Sequence, residues 1–342
     1  MPLSDAELGE RLAARTLELI DIPSESRDEA ALAAHVLGLL PGARDLGDTC
    51  VLGGPADAGV LLGGHLDTVP AQDNRPGARE GDRVRGLGAS DMKGAMAVMI
   101  ELALALAPFG ALFFGREELP LGDSALTPLL RRERLAPELV VMMEPTGNEL
   151  HAGCLGNINA TWTFHGRSGH SARPWLADNA IERAAAGVSA LAAHEPEPHD
   201  FDGLRFVEVA SVTRIAGGIA GNVIPERAEC QVNFRYAPGR SPQEAEARLV
   251  ILCDGHGELR IDSNAPAGVV AEGVLVDALV AAGDLTVAPK QAWTPVAEFA
   301  AAGLPAVNFG PGDPPQAHTR EESVAVAALV RSYRVLEAFA AR

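Results

Sequence analysis

The sequence predicts an α/β protein: a mixed, mostly parallel sheet with helices on both faces, interrupted by an inserted α+β domain of βαββαβ order. Three observations predict it. The short apolar runs Val60–Leu62, Ala111–Phe114 and Leu139–Met143 are bounded by Gly, Pro or charge, as buried parallel strands are. Stretches of helical length alternate with them. Near Leu155 the character changes to half-buried, alternating strands with two amphipathic helices, and helix with buried strand returns near Ala265. The expected division is residues 1–155 with 265–342 as one domain, and 156–264 as a second domain inserted into it.

The elements follow in order. Ser4 with Glu7 forms a capping-box start for a helix running to about Ile20, which Pro23 and Ser24 break. Ser26 and Glu29 open a second helix through Leu40. Val60–Leu62 is the shortest of the three apolar runs. Met92–Leu106 is apolar and Ala-rich, with the length of a helix. In the inserted part, Asn159–His165 alternates as a strand, and Asn179–Ala193 is an amphipathic helix. Phe206–Ile215 and Arg227–Tyr236 are two more strands, Ser241–Cys253 a helix, and Glu258–Asp262 a fourth strand. That order fits an antiparallel sheet with both helices on one face. His199–Leu204 reads as an exposed loop, and a long helix follows Glu321.

Composition bounds the function. A chain of 342 residues suits two domains, and 47% hydrophobic residues can bury a large core. A net charge of −18 argues against nucleic acid or an anionic membrane as partner, since both call for basic patches. No apolar stretch reaches the roughly 18 residues of a membrane span. The polar start, Met1–Leu8, shows no apolar leader. Cys50, Cys154, Cys230 and Cys253 lie far apart with no C-x-x-C pair. They read as reduced thiols of a cytoplasmic protein, not as a zinc finger or a disulfide framework.

Five segments could carry chemistry, and they cluster at strand ends, where open α/β sheets place ligands. In Gly64–Pro70, His65 and Asp67 are two apart and share a side of extended chain. A metal-bound His gives its other ring N–H to a carboxylate or carbonyl, a role open to Asp67. A solvated turn is the plain alternative. In Gly86–Gly94, Asp91 precedes an apolar helix and reads as a helix cap as readily as a ligand. Glu117 and Glu118 follow a buried strand directly. Two carboxylates there repel unless a cation is present or one holds a proton. A metal would satisfy one and leave the other as general base. Glu144 closes another buried strand, and His318 sits in a loop after Gly310-Pro311-Gly312. Imidazole and carboxylate without thiolate form the ligand set of a catalytic zinc, cobalt or manganese site.

With Gly169-His170-Ser171-Ala172 added, these motifs in this order resemble the aminoacylase/carboxypeptidase family of co-catalytic zinc hydrolases, over essentially the whole chain. Within it, Gly153–Gly156, His170–Leu176, Asp178–Ile181, Gly221–Pro225, Val232–Arg235 and Pro305–Pro314 are similar to actinobacterial-type succinyl-diaminopimelate desuccinylases. The resemblance implies two divalent metal ions, zinc foremost, with cobalt or manganese as alternatives. It implies that Asp91 bridges the ions, that His65 and Glu144 complete one, and that Glu118 and His318 complete the other. It makes Glu117 the general base and acid, and Asp67 the residue that orients the first site. It makes His170 an oxyanion contact that typically reaches across a dimer, so the inserted domain becomes a dimerisation and lid domain and the protein a homodimer. Asn222 and Arg235 would hold the substrate carboxylate, with Arg173 and Gly310 also at the substrate; a guanidinium matches a carboxylate in two-pronged fashion.

The implied reaction is hydrolysis of an N-acyl amino acid, with N-succinyl-L,L-2,6-diaminopimelate giving succinate and diaminopimelate for lysine and cell-wall synthesis. Alternatives are deacylation of N-acetylornithine or a similar amino acid, a dipeptidase or carboxypeptidase, and a non-catalytic binding protein on the same fold. One departure stands out. Pro295 and Glu298 occupy positions where the subfamily carries Asp and Arg, which puts the acyl pocket in question. The remaining histidines, His35, His194, His199 and His256, read as solvated, His151 and His165 as structural, and Trp162 and Trp175 as packing residues.

Overall fold

In the computed structural model, which describes residues 3–55 and 57–342, Ser4 and Glu7 close the capping box that opens helix Asp5–Asp21. Ser4 Oγ accepts the Glu7 amide at 3.3 Å, and the Glu7 carboxylate accepts the Ser4 amide at 2.9 Å. Met1 and Pro2, part of the stretch read as lacking a leader, lie outside the described residues, as does Ala56. Leu8, Leu12, Leu19 and Ile20 form the buried stripe of this helix, as a period of 3.6 requires. Among the described residues, no helix is long and apolar enough to cross a membrane.

The chain forms two compact units, Met1–Gly153 with Val269–Lys290 and Thr294–Arg342, and Cys154–Gly268 with Gln291–Trp293. The first holds an eight-stranded sheet. Its order is Arg44–Gly47, Cys50–Gly53, Phe109–Phe114, Val60–His65, Leu139–Met142, Ala306–Asn308, Leu150–Ala152 and Val287–Pro289. The central pairs, Phe109–Phe114 with Val60–His65, Val60–His65 with Leu139–Met142, and Leu139–Met142 with Ala306–Asn308, are parallel. Their carboxyl ends therefore share one edge. Every residue of these four strands is buried, which explains their unbroken apolar runs. Helices Asp5–Asp21, Gly94–Leu104 and Val326–Ala340 pack on one another, while Leu126–Arg132 and Val296–Ala301 form a separate pair.

The second unit holds a five-stranded antiparallel sheet in the order Glu197–Phe201, Leu204–Gly217, Arg227–Tyr236, Gly156–His165, Glu258–Ala265. Alternate residues Ile158, Ala160, Trp162 and Phe164 of strand Gly156–His165 join Ala180, Ala184 and Leu191 from one helix and Ala245, Leu249 and Leu252 from the other in a single core. Both helices thus cover one face. Asn179 caps the first, and Ser241 with Glu244 closes a capping box on the second.

Three expectations need correction. His199–Leu204 is not an exposed loop: Glu197–Phe201 pairs with Leu204–Gly217 around Asp202-Gly203, both with positive φ. An Asp-Gly pair is a hairpin signal because glycine and aspartate tolerate that backbone. The apolar run at Val60 continues as strand to His65, where Gly63, Gly64 and His65 pair with Leu112, Phe113 and Phe114; Gly63 and Gly64 lie where a Cβ would meet Met142, Met92 and Met99. Trp175 is 75% exposed and does not pack in a core, whereas Trp162 is fully buried. One edge is also uneven. The strand Leu204–Gly217 pairs with its hairpin partner only through Glu208, so among the described residues no strand lies on the outer side of residues 209–217.

Candidate metal centre

The three central parallel strands end within a few residues of the predicted ligands. Val60–His65 ends on His65, Phe109–Phe114 leads through Gly115-Arg116 to Glu117 and Glu118, and Leu139–Met142 leads to Glu144. Asp91 comes from the turn before helix Gly94–Leu104, and His318 from the loop after Ala306–Asn308. The structure brings all five predicted ligands together in the first unit. His65 Nε2 lies 3.0 Å from Asp91 Oδ1 and 4.0 Å from Glu144 Oε1. His318 Nε2 lies 2.9 Å from Glu118 Oε1 and 3.5 Å from Asp91 Oδ2. Asp91 is thus shared: one carboxylate oxygen faces each imidazole. His65, Asp91 and Glu144 form one group whose ligand atoms lie within 4.8 Å of one another, and Asp91, Glu118 and His318 form a second. Asp91 is not the cap of helix Gly94–Leu104: Lys93 holds the cap position, and no side chain caps the helix by a hydrogen bond.

Asp67 works differently from the simplest expectation. The His65 Nδ1 partner is the Asp67 main-chain carbonyl at 2.9 Å, while the nearest carboxylate oxygen is 3.7 Å away. The carboxylate instead accepts the amides of Glu117 at 2.9 Å and Glu118 at 3.1 Å, and the Ser26 hydroxyl at 2.8 Å. One residue therefore fixes the His65 ring with its backbone and the Glu117-Glu118 turn with its side chain.

The electrostatics favour cations. Burial and the neighbouring Glu144 carboxylate push Glu117 well above the carboxylate range. Burial, then Asp91, raises Glu144 to about 7. Burial opposes charge on His65, but the hydrogen bond with Asp91 and the surrounding carboxylates raise it well above its ordinary value. Hydrogen bonds with Asp91 and Glu118 raise His318 to about 11. Four carboxylates crowd two imidazoles, and protons are drawn in to offset the excess. Divalent ions would do the same and fit the donors present. Glu144 Oε1 is buried without a hydrogen-bond partner, the two oxygens of Asp91 diverge toward different histidines, and the set is oxygen and imidazole nitrogen throughout.

Among the other predicted residues, Gly310 belongs to the first unit. Its amide donates to Thr146 Oγ1 at 3.0 Å and its carbonyl accepts from Asn148 at 3.0 Å, so its polar groups are already engaged. A Cβ there would sit 2.3 Å from the Met143 carbonyl and 2.5 Å from that of Glu144. Glycine is needed for close packing against the chain that carries Glu144. In the second unit, His170 pairs with Val223 in a short ladder, Ser171 donates to the Asn222 carbonyl at 3.0 Å, and Arg173 donates its amide to the His170 carbonyl at 2.8 Å. His170, Arg173 and Asn222 thus gather on one exposed patch. Arg235 is half-buried in the sheet, where its Nε donates to Asn233 Oδ1 at 2.9 Å. Glu298 is buried and takes hydrogen bonds from Ser124 at 2.9 Å and from Thr127 Oγ1. Its negative charge is directed at two hydroxyls of the first unit.

The sequence offered no signal for Glu322, a buried carboxylate that accepts the amides of Gly88, Ser90 and Asp91. Nor did it single out Gln72 and Asn74, which donate to the His318 and Thr319 carbonyls. These contacts span more than 200 residues and leave no local pattern. Cys50, Cys154, Cys230 and Cys253 are all buried, with no disulfide among the described residues.

Known proteins resemble this chain in sequence and in fold. The model of peptidase family M20/M25/M40 matches residues 61–342. A Mycobacterium tuberculosis protein provisionally named succinyl-diaminopimelate desuccinylase is 39% identical, over 95% of this chain and 96% of its own. The succinyl-diaminopimelate desuccinylase of Corynebacterium glutamicum is 34% identical, over 93% of this chain and 94% of its own. The crystal structure of an aminopeptidase from Bacillus cereus shares the fold with a TM-score of 0.75 at 18% identity, covering 98% of this chain and 99% of that one. The chain belongs to peptidase family M20/M25/M40 and is a metal-dependent amidohydrolase.

Proposed function

We propose that this protein hydrolyses the amide of N-succinyl-L,L-2,6-diaminopimelate, releasing succinate and L,L-diaminopimelate, with two zinc ions at the site. The observation that carries the reading is the pair of ligand groups sharing Asp91, with the Glu117 carboxylate beside His65 and Glu118. The names of the two relatives above favour the succinyl substrate. His65, Asp91 and Glu144 would hold one ion and Asp91, Glu118 and His318 the other. Bound there, the ions supply Lewis-acid polarisation and a water that ionises near neutral pH.

The chain's own residues do the rest. Glu117 takes the proton from the attacking water and delivers it to the departing amine nitrogen. The raised affinity of Glu117 for a proton suits it to both roles. Asp67 holds the Glu117 amide and so fixes where that carboxylate starts. In the second unit, His170 is the proposed donor to the developing oxyanion, with Asn222, Arg235 and Arg173 as contacts for substrate carboxylates. The outer side of residues 209–217 supports assembly as a homodimer through that unit. Four buried thiols suit a cytoplasmic setting.

The test is hydrolysis of N-succinyl-diaminopimelate by the full-length chain, stripped of metal and reloaded with zinc, beside N-acetylornithine and a dipeptide. The succinyl substrate is expected to be turned over fastest, with activity lost on chelation. Glu117→Gln should abolish turnover while still binding zinc. An active Glu117→Gln protein would overturn the assignment of the base, and preference for the acetyl substrate would overturn that of the acyl group.

A further inference from the structure

The metal-binding turn is folded around a carboxylate that is not a ligand. Glu322 is 1% exposed. Its Oε2 accepts the Gly88 amide at 2.9 Å, and its Oε1 accepts the amides of Ser90 and Asp91, each at 2.9 Å. Its own carbonyl accepts the Gly86 amide at 3.0 Å. Successive backbone N–H groups converging on one anion form a nest, and the anion dictates the local path of the chain. Here that path carries Asp91 with non-helical φ and ψ at the start of helix Gly94–Leu104.

The same turn is gripped from the other side. Ser90 Oγ donates to the Asp313 carbonyl at 3.0 Å and accepts the Asp313 amide at 2.8 Å. Gly312 approaches so closely that a Cβ would lie 2.2 Å from the Ser90 carbonyl oxygen. With the amides of Ser90 and Asp91 both fixed, the peptide plane before the Asp91 Cα is fixed too. The Asp91 side chain can then direct Oδ1 to His65 and Oδ2 to His318 without searching.

We infer that Glu322 is a positioning residue that holds Asp91 in its bridging orientation through the three amides of the Gly88–Asp91 turn. The inference rests on the reading of Asp91 as a shared ligand. Because one displaced bridge disturbs both ions, loss of Glu322 weakens metal binding itself and not only turnover. Supporting partners of metal ligands typically contribute about 10–100-fold in affinity.

The experiment titrates zinc into metal-free full-length wild type, Glu322→Gln and Glu322→Ala, in competition with a chelating dye, and records the melting temperature of each metal-free protein. The Gln amide oxygen can still accept from Ser90 and Asp91, but its NH2 group faces the Gly88 N–H. Zinc affinity should fall about tenfold in Glu322→Gln and toward 100-fold in Glu322→Ala. If Glu322→Ala does not fold, the value for Glu322→Gln decides alone. Wild-type zinc affinity in a folded Glu322→Gln protein, whatever its melting temperature, overturns the inference. Failure of wild type to bind zinc overturns the metal reading beneath it, a separate and distinguishable result.

Discussion

Replacing Asp67 by Asn separates two jobs that one residue performs. The Asp67 carboxylate receives three hydrogen bonds, from the Glu117 and Glu118 amides and the Ser26 hydroxyl. Asparagine keeps one acceptor oxygen and turns a donor toward whichever amide loses its partner. An orphaned buried donor costs about 1–3 kcal/mol. The Glu117-Glu118 turn would relax to relieve it, and a shift of about 1 Å in a catalytic group costs on the order of 100-fold in rate. The His65 ring, however, is held by the Asp67 main-chain carbonyl, which the substitution leaves in place. The expected outcome is a melting temperature lowered in step with that cost, kcat down by about 100-fold, and zinc retained at the His65, Asp91 and Glu144 group, with any weakening confined to the ion that Glu118 would hold. The assay is metal analysis beside steady-state kinetics on N-succinyl-diaminopimelate. Loss of zinc from the group that contains His65, with the second ion and kcat intact, would refute the reasoning and make the carboxylate the orienting group of His65.

Further outcomes follow from other buried groups. Burial raises the Glu298 carboxyl, and its bonds from Thr127 and Ser124 only partly counter this. A folded-state value above the unfolded one means that the folded protein binds the extra proton, so stability falls as pH rises from about 4.3 through the folded value. Glu298→Gln should therefore melt higher than wild type at pH 7–8, with the gap closing toward pH 4; a gap independent of pH would contradict this. Gly310→Ala drives a methyl group into the Met143 and Glu144 carbonyls, and overpacking of this kind costs about 1–3 kcal/mol. Calorimetry should show a lower melting temperature, and an unchanged one would mean that the Glu144 strand end yields freely.

Much of the framework was legible because it is written in local patterns. The Ser4–Glu7 and Ser241–Glu244 capping boxes mark helix starts within four residues. The strand Arg227–Tyr236 was readable because its residues alternate between core and surface. The candidate ligands were legible as a cluster because parallel strands deliver their ends to one edge, which brings acids and histidines just beyond apolar runs together. What escaped depends on distant pairing. The short strands Leu150–Ala152, Val287–Pro289 and Ala306–Asn308 are three residues each, too brief to show a period. Glu322 lies beyond His318 in a polar stretch, and only folding brings it beneath Gly88, Ser90 and Asp91. The charge change at position 298 was visible in the sequence, but its partners Ser124 and Thr127 were not.

The uneven edge of the second unit has a consequence for how copies of this chain can add to one another. Strand Leu204–Gly217 changes register against Arg227–Tyr236 between Val212 and Arg214. An irregularity of this kind bends and twists a strand locally. The edge at residues 209–217 is thereby divided into two short runs on either side of Thr213. An incoming strand can follow one run but not both, and open-ended stacking needs a long flat edge. The break thus works against a growing ribbon of added strands.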